Sequence, residues 1–307
     1  MSRPASAWQG VVTNVARSRC LAAVGDNEVE FHVPGSMIRD NGGRNPVRVG
    51  DRVTLALRSG TLVLQSIEER TSEFQRTHSE QGRSPRAATI AANLAMAAFV
   101  LPATAERRHL RMLDRMLVGA CWADIPALVC VNKWDLVTDP GNLRNRLRPY
   151  RDEGWPIRYT IAPAGDGVSG LLDLLPPGLS AFIGPSGAGK TTLIRAITGR
   201  ADLKTLGVNS RTGKGRHVTT AVSAYQIDAD RWVVDAPGLK TFGVAQAPQE
   251  MVLAAFPEIE RAAGSCRQRW CDHEDRGGCR VAADIRSGAI RRERWASYRL
   301  LIAEAVG

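Results

Sequence analysis

No apolar run in this 307-residue chain reaches the ~20 residues needed to cross a bilayer, and the longest, around Ile90 to Leu101, is short and alanine-rich. The opening Met1-Ser-Arg-Pro-Ala-Ser-Ala-Trp8 lacks the apolar centre of a secretory signal, so a soluble, cytoplasmic chain with no membrane partner is expected. Lysine is scarce too, with five against 36 arginines. Two of the five, Lys133 and Lys190, fall in motifs where a compact, flexible ammonium is not readily replaced by a planar guanidinium. Cysteine is sparse, and six in a cytoplasmic chain do not imply a disulfide framework. Cys20, Cys121 and Cys130 are scattered, and the last two sit in apolar surroundings that suit buried packing.

Apolar material is plentiful, at 44% of residues, which argues against disorder and allows two or three domains with cores of their own. The net charge of +10 favours a polyanionic partner, because clustered cations release counterions from phosphate backbones. Residues 261–307 hold ten arginines against six acids, a concentrated share of that excess.

From Trp8 to Ile67, short alternating segments, Gly10–Val15, Val29–Val33, Gly50–Leu57 and Thr61–Ile67, are broken by glycines and polar turns. Half-buried strands of this length predict an OB-like barrel over 1–70, with an SH3-like barrel as the alternative. Residues 71–88, polar and arginine-rich around Gly82 and Ser84-Pro85, read as a linker. An α/β pattern then spans 89–255. Ala95–Leu101 suits a buried parallel strand, Thr104 is placed to cap a helix carrying Leu110, Leu113 and Leu117, and Ala127–Val131 forms a second strand. Leu179–Ile183 supplies another strand, Thr191–Ile197 a helix stopped by Gly199, and Asp228-Ala-Asp230 the turn of a hairpin. Residues 256–307 read as a cysteine-rich segment followed by a helix over Ala289–Ala305, with Ile290, Trp295, Leu300 and Ile302 as its apolar positions.

Gly184-Pro-Ser-Gly-Ala-Gly189-Lys190-Thr191, between an apolar strand and a helix, satisfies the phosphate-loop pattern. The loop Gly184, Pro185, Ser186, Gly187, Ala188 and Gly189 has glycines that let its backbone N–H groups, absent only at Pro185, converge on a β-phosphate, Lys190 reaches the β/γ oxygens, and Thr191, followed by Thr192, offers a hydroxyl to Mg²⁺. Asn132-Lys133-Trp-Asp135 follows a strand and reads guanine. The Asp135 carboxylate accepts from N1–H and the exocyclic amine, Asn132 supports the loop and the N7 edge, and the Lys133 stem covers the base. In Asp235-Ala-Pro-Gly238, the aspartate suits water-mediated Mg²⁺ binding and the Gly238 amide a γ-phosphate contact. Gly213–Thr220 is glycine-rich; one threonine completes the Mg²⁺ shell, Thr219 being favoured over Thr220.

Leu239 stands where Ras-like enzymes place a water-orienting glutamine, so slow intrinsic hydrolysis is expected. His217 is then a candidate for positioning water, or else a loop or partner contact. The Ala162 amide, in Ile161–Gly167, is placed to meet guanine O6. The guanine motif precedes the phosphate loop, the reverse of the usual order, which identifies a circularly permuted GTPase.

Cys266-x₄-Cys271-x-His273-x₅-Cys279 offers three thiolates and an imidazole, the soft set that suits one closed, structural zinc ion. Such an ion folds a segment too poor in apolar residues to hold itself together.

Barrel, permuted GTPase and Cys₃His cluster in that order resemble the bacterial ribosome small-subunit-dependent GTPase A family over nearly the whole chain. The matching residues are Asn132–Asp135, Gly184–Thr191, Gly215–Thr220, Asp235–Gly238 and the four Cys/His positions; Val218 and Ile161 depart from the family pattern. The resemblance implies a multidomain α/β protein with an OB-like barrel, a Ras-like P-loop domain and a zinc-binding helical domain. It implies conversion of GTP to GDP with Mg²⁺, activated by the maturing small ribosomal subunit and its rRNA. A monomer that does not bind DNA is expected. Two other readings are a nucleotide-gated RNA-binding module in which hydrolysis is incidental, and a large-subunit assembly GTPase, against which the barrel and cysteine cluster count.

Overall fold

The computed structural model describes residues 7–16, 18–78, 86–201, 203, 222–236, 238–239, 242–268, 271–273 and 277–306. The first strands are β1 (Ala7–Val15), β2 (Arg19–Val24), β3 (Asn27–His32), β4 (Arg52–Arg58) and β5 (Thr61–Ile67), with a short helix α1 (Gly35–Asp40) between β3 and β4. The pairing runs β1-β2-β3-β5-β4 and closes through β1–β4, making the expected OB-like barrel. Its interior is filled by inward-pointing residues including Val12, Cys20, Phe31, Val53, Leu55 and Leu64. Strand β2 was not legible in the sequence, where Arg19-Cys-Leu-Ala-Ala-Val24 alternates only weakly.

The linker expected over 71–88 is not one where it is described: β6 (Glu73–His78) pairs antiparallel with β7 (Arg86–Ala92). Phe74 on β6 is fully buried. Just before it, Arg70 forks onto buried Asp51 at 2.7 and 2.9 Å and reaches Glu73 at 3.0 Å, tying the barrel to this hairpin.

The chain continues as β8 (Leu94–Pro102), α2 (Arg107–Trp122), β9 (Ala127–Asn132), α3 (Pro140–Asp152), β10 (Ile157–Thr160), α4 (Val168–Leu172), β11 (Gly178–Ile183), α5 (Lys190–Thr198), β12 (Ser223–Gln226) and β13 (Arg231–Asp235). Strands are ordered β10-β9-β8-β11-β13-β12, all parallel except β12. Side chains alternate across the sheet with the strand period of two. Phe99, Leu101, Val129, Val131, Ala181 and Ile183 face α2 and α3, while Ala98, Val100, Leu128, Cys130 and Phe182 face α4 and α5. Cys130 is buried as expected, whereas Cys121 is only half-buried.

Helix α2 begins after Glu106, not at Thr104; the Glu106 N–H donates to His109 Nδ1 at 2.9 Å, so the first turn is closed from within the helix. Helix α5 ends at Gly199, in the left-handed conformation that glycine adopts most easily, with φ 68°. Barrel and central sheet form one continuous sheet, because β1 pairs with β12 at Asn14 and Ser223, whose side chains are also bonded at 2.7 Å.

The last helices are α6 (Gln249–Ala254), α7 (Pro257–Gly264), α8 (Arg280–Ser287) and α9 (Arg292–Val306), and they pack on the α2 side of the sheet. Of the expected apolar positions, Ile290 is buried and Trp295 and Ile302 pack against the core, but Leu300 is 53% exposed, while Arg294 is 3% exposed. The Arg294 guanidinium donates to Asp114 at 2.5 Å, Glu258 at 2.7 Å and the Ala255 carbonyl at 2.8 Å, and lies over the Phe256 ring. A charge buried this deeply is tolerated only with such complete pairing.

Candidate functional site

Parallel strands β9, β11 and β13 end at the same sheet edge, and their following loops carry three of the motifs. This is where open α/β sheets bind ligands. The phosphate loop leaves β11 at Gly184, where a Cβ would lie 2.1 Å from the Val100 carbonyl oxygen. Only glycine lets β8 and the loop approach so closely. At Gly189, φ is +86° and a Cβ would lie 2.4 Å from Asn132 Nδ2, so the guanine motif and the phosphate loop touch here.

Asn132, 1% exposed, is the joint between them. Its Nδ2 donates to the Ala188 carbonyl at 3.1 Å and the Gly189 carbonyl at 3.4 Å. Its Oδ1 accepts from the Thr160 hydroxyl at 3.1 Å and the Ala162 N–H at 3.3 Å. Both ends of the amide are therefore engaged by protein, and Asn132 braces the loops against one another. Thr160 was missed in the sequence because no motif contains it; it faces Asn132 in register on β10, one residue before the Ile161 loop.

Lys133 takes the left-handed conformation, φ 63°, which turns Asp135 outward; Asp135 is exposed and has no side-chain partner among the described residues. Trp134 packs on Tyr159 with ring centroids 4.2 Å apart, and the Arg144 guanidinium covers both rings, holding the motif's backbone. A Cβ at Gly167 would lie 2.1 Å from the Tyr159 carbonyl oxygen, which fixes the turn that presents Ala162.

Lys190 is folded onto its own loop: buried to 6% exposure, its Nζ donates to the carbonyls of Gly184 at 2.9 Å and Pro185 at 3.1 Å. Burial pulls its ammonium down to about 8, against the attraction of Asp235. Asp235 is pushed up by burial, partly opposed by the Thr191 hydroxyl, which donates to it at 2.9 Å, and by Lys190. The two side chains expected near Mg²⁺ thus already meet. A Cβ at Gly238 would lie 2.8 Å from Ser186 Cα, so this glycine packs directly on the phosphate loop. The Leu239 N–H donates to the Gly184 carbonyl at 3.0 Å, and its side chain, 2% exposed, enters the core. Thr192 lies half-buried on α5 behind the loop. His217, Thr219, Thr220 and the rest of Gly213–Thr220 lie outside the described residues.

The segment after Leu239 is fastened at several points. The Thr77 N–H donates to the Gly243 carbonyl at 3.1 Å, the Ala245 N–H to the Thr77 hydroxyl at 3.0 Å, and the Val244 N–H to Glu304 of α9 at 2.9 Å. It therefore links the phosphate-loop edge to both the β6–β7 hairpin and the last helix.

Cys266, Cys271, His273 and Cys279 come together with all ligand atoms within 4.8 Å of one another. Cys266 Sγ and Cys279 Sγ each lie 3.6 Å from His273 Nδ1. Tetrahedral zinc with ordinary Zn–S and Zn–N bonds sets that edge at about 3.5 Å, so the donors fit the ion. The N-terminus of α8 points at the sulfurs, and the Ala282 N–H donates to Cys279 Sγ at 3.4 Å. Burial opposes ionisation of Cys266, yet its thiol is lowered on balance by backbone N–H groups of Val281 and Arg280 together with the neighbouring thiols. Burial also lowers His273, keeping the imidazole neutral, the form that binds metal.

A family model described as RsgA GTPase matches residues 67–245. The chain is 34% identical to the small ribosomal subunit biogenesis GTPase RsgA of Chlorobaculum parvum, over 95% of this chain and 96% of the relative. It is 33% identical to the protein of the same name from Chlorobaculum tepidum, with the same coverage. Among solved structures it is similar to YjeQ from Thermotoga maritima, at TM-score 0.71 and 22% identity, over 98% of this chain and 99% of the other. It is also similar to YloQ, described as a circularly permuted GTPase, at TM-score 0.69 and 20% identity, over 97% and 95%. At those identities the two structures speak for the fold alone.

Proposed function

Because the chain belongs to the RsgA GTPase family, it is a GTP hydrolase of small ribosomal subunit maturation, and we propose that it works as a timer that binds the subunit and its rRNA with GTP and leaves after hydrolysis. The observation that carries the nucleotide part is Asn132, which braces the guanine motif, the Ala162 loop and the phosphate loop against one another. Asp135 points out with its carboxylate unspent and reads the guanine N1–H and amine, and the Ala162 amide meets O6. Backbone N–H groups of Ser186 to Gly189 cradle the phosphates. Lys190 exchanges its two carbonyl acceptors for β/γ oxygens. Thr191 would hold Mg²⁺ by its hydroxyl and Asp235 through water, and the ion would supply charge to offset that on the phosphates. Thr219 would add its hydroxyl to that ion, and His217 orients water for attack on the γ-phosphorus; the bond to the β–γ bridging oxygen breaks, and GDP and phosphate result.

Leu239 supports slow turnover in isolation, since its side chain is committed to the core and presents nothing to water. Cys266, Cys271, His273 and Cys279 hold one zinc ion, whose role is to fold the segment between α7 and α8.

GTP hydrolysis measured with separated subunits tests the reading: strong acceleration by small subunits, little by large ones, and loss of it in His217→Ala are expected. Equal turnover with and without small subunits would overturn it.

A further inference from the structure

A cleft of about 300 Å³ lies where α2, α3 and the start of α9 meet, and none of its lining residues belongs to the nucleotide motifs. Arg107 and Arg111 are one turn apart on α2, Arg146 comes from α3, and Arg291 immediately precedes α9. Arg146 donates to the Ala105 carbonyl at 2.8 Å and Arg291 to Asn145 Oδ1 at 2.6 Å. These bonds orient the two guanidiniums without neutralising them. Arg107 and Arg111 are exposed, and none of the four has a carboxylate partner among the described residues. Two carboxylates line the cleft. Asp114 is spent on the Tyr150 hydroxyl at 2.7 Å and on Arg294, which leaves Glu293 as the opposing charge. Unlike Arg294, which is neutralised by Asp114 and Glu258, the four outer arginines keep their charge for a ligand.

The floor is formed by Leu110, Pro149 and Tyr150. Tyr150 is 2% exposed, and Arg294 lies over its ring, so the floor offers apolar contact but no face for a stacked base. Four guanidiniums lining a cleft above such a floor match a phosphate carried on a sugar, since arginine is the side chain suited to phosphate forks. The volume is at the small end of ligand sites, enough for a single nucleotide unit.

We propose that this cleft is a second anion site, distinct from the GTP site, that grips a sugar-phosphate unit at the junction of the GTPase domain and the last helix. The same chemistry is offered by an RNA strand or by a free polyphosphate; the RNA source rests on the function proposed above.

The test uses the full chain with its nucleotide site filled by GDP and Mg²⁺. Binding of a labelled single-stranded RNA 12-mer is followed by anisotropy across salt concentrations, and inorganic pyrophosphate is titrated in a thermal-shift assay. Arg111→Ala/Arg291→Ala is compared with Arg292→Ala, an exposed arginine beside the cleft but outside it. The double variant is expected to lose roughly ten-fold in RNA affinity and to flatten the salt dependence by about one to two phosphate contacts, with Arg292→Ala near wild type. Pyrophosphate stabilising wild type but not the double variant, with RNA binding unchanged, would assign the cleft to free polyphosphates. If neither readout separates the double variant from Arg292→Ala, the site is refuted. Small subunits failing to accelerate wild-type hydrolysis would sink the proposed function and leave the cleft result standing.

Discussion

The central sheet is packed on both faces by aliphatic side chains that alternate with the strand period, whereas the helices after Ala254 supplement an apolar face, with Phe256, Ile259, Val281 and Leu301 buried, by a Cys₃His cluster and one buried guanidinium. The first arrangement draws on many small, interchangeable contacts, so no single residue decides it. The second adds a few buried polar groups, each of which must be satisfied. The last helices should therefore fail through single substitutions that the sheet would survive.

The largest such failure is expected at the cluster. Cys271→Ser, or removal of metal by a chelator, should unfold the segment from α7 to α8, because zinc binding by folded small domains is worth on the order of 10 kcal/mol. Hydrogen exchange followed by mass spectrometry should show residues 257–287 losing protection while β8, β9 and β11 keep theirs. Equal loss in both regions would erase the contrast.

Next comes Arg294→Met. It leaves Asp114 and Glu258 buried without their cation and should cost about 3–5 kcal/mol in denaturant unfolding. Adding Asp114→Leu and Glu258→Leu should recover most of that, since apolar replacement of a whole buried ion cluster is often neutral. If the triple variant is no better than the single one, Arg294 acts through its packing on Phe256 and not through charge.

The same contrast explains what the sequence disclosed. Asn132, Gly184–Thr191 and Asp235–Gly238 are legible because phosphate and guanine chemistry demands those residue types at the ends of apolar strands, and the strands announce themselves as continuous hydrophobic runs. Cys266, Cys271, His273 and Cys279 are legible for the same chemical reason. The face of α9 is legible only in part. Hydrophobic spacing finds Trp295 and Ile302 but also selects the exposed Leu300, and it misses Arg294, a residue that reads as a solvated charge until its partners on α2 and α7 are seen. Glu73–His78 reads as a linker for a similar reason: Arg70 and Glu73 look like surface charge, yet Arg70 is locked to buried Asp51. Thr160, paired across from Asn132, becomes visible only once strand register is known.

Leu239 belongs to the sheet's apolar packing. If the residue after Gly238 belongs to the core, Leu239→Gln should not raise intrinsic GTP turnover. It should lower stability by about 1–3 kcal/mol, the cost of burying an amide without partners. A gain in turnover would mean that this side chain reaches the water and not the core.

The smallest effect concerns the one buried cation of the phosphate loop. Lys190 is held at about 8 without nucleotide, below its ordinary 10.5, by burial. The unfolded chain binds this proton more tightly, so the lysine's contribution to stability rises as pH increases from about 8 toward 10.5 and is unfavourable below that window. Nucleotide affinity has the opposite sign, because the phosphates require the charged form. Between pH 7 and 8.5 the affinity for GDP should fall about four-fold, with proton uptake on binding at the upper end. Calorimetry in buffers of different ionisation enthalpy measures both. Lys190→Arg, whose guanidinium stays charged throughout, should bind less well but with a flat profile over the same range. A wild-type profile equally flat would mean that the ammonium is as well solvated by the Gly184 and Pro185 carbonyls as by water, and that the loop spends nothing to keep its lysine buried.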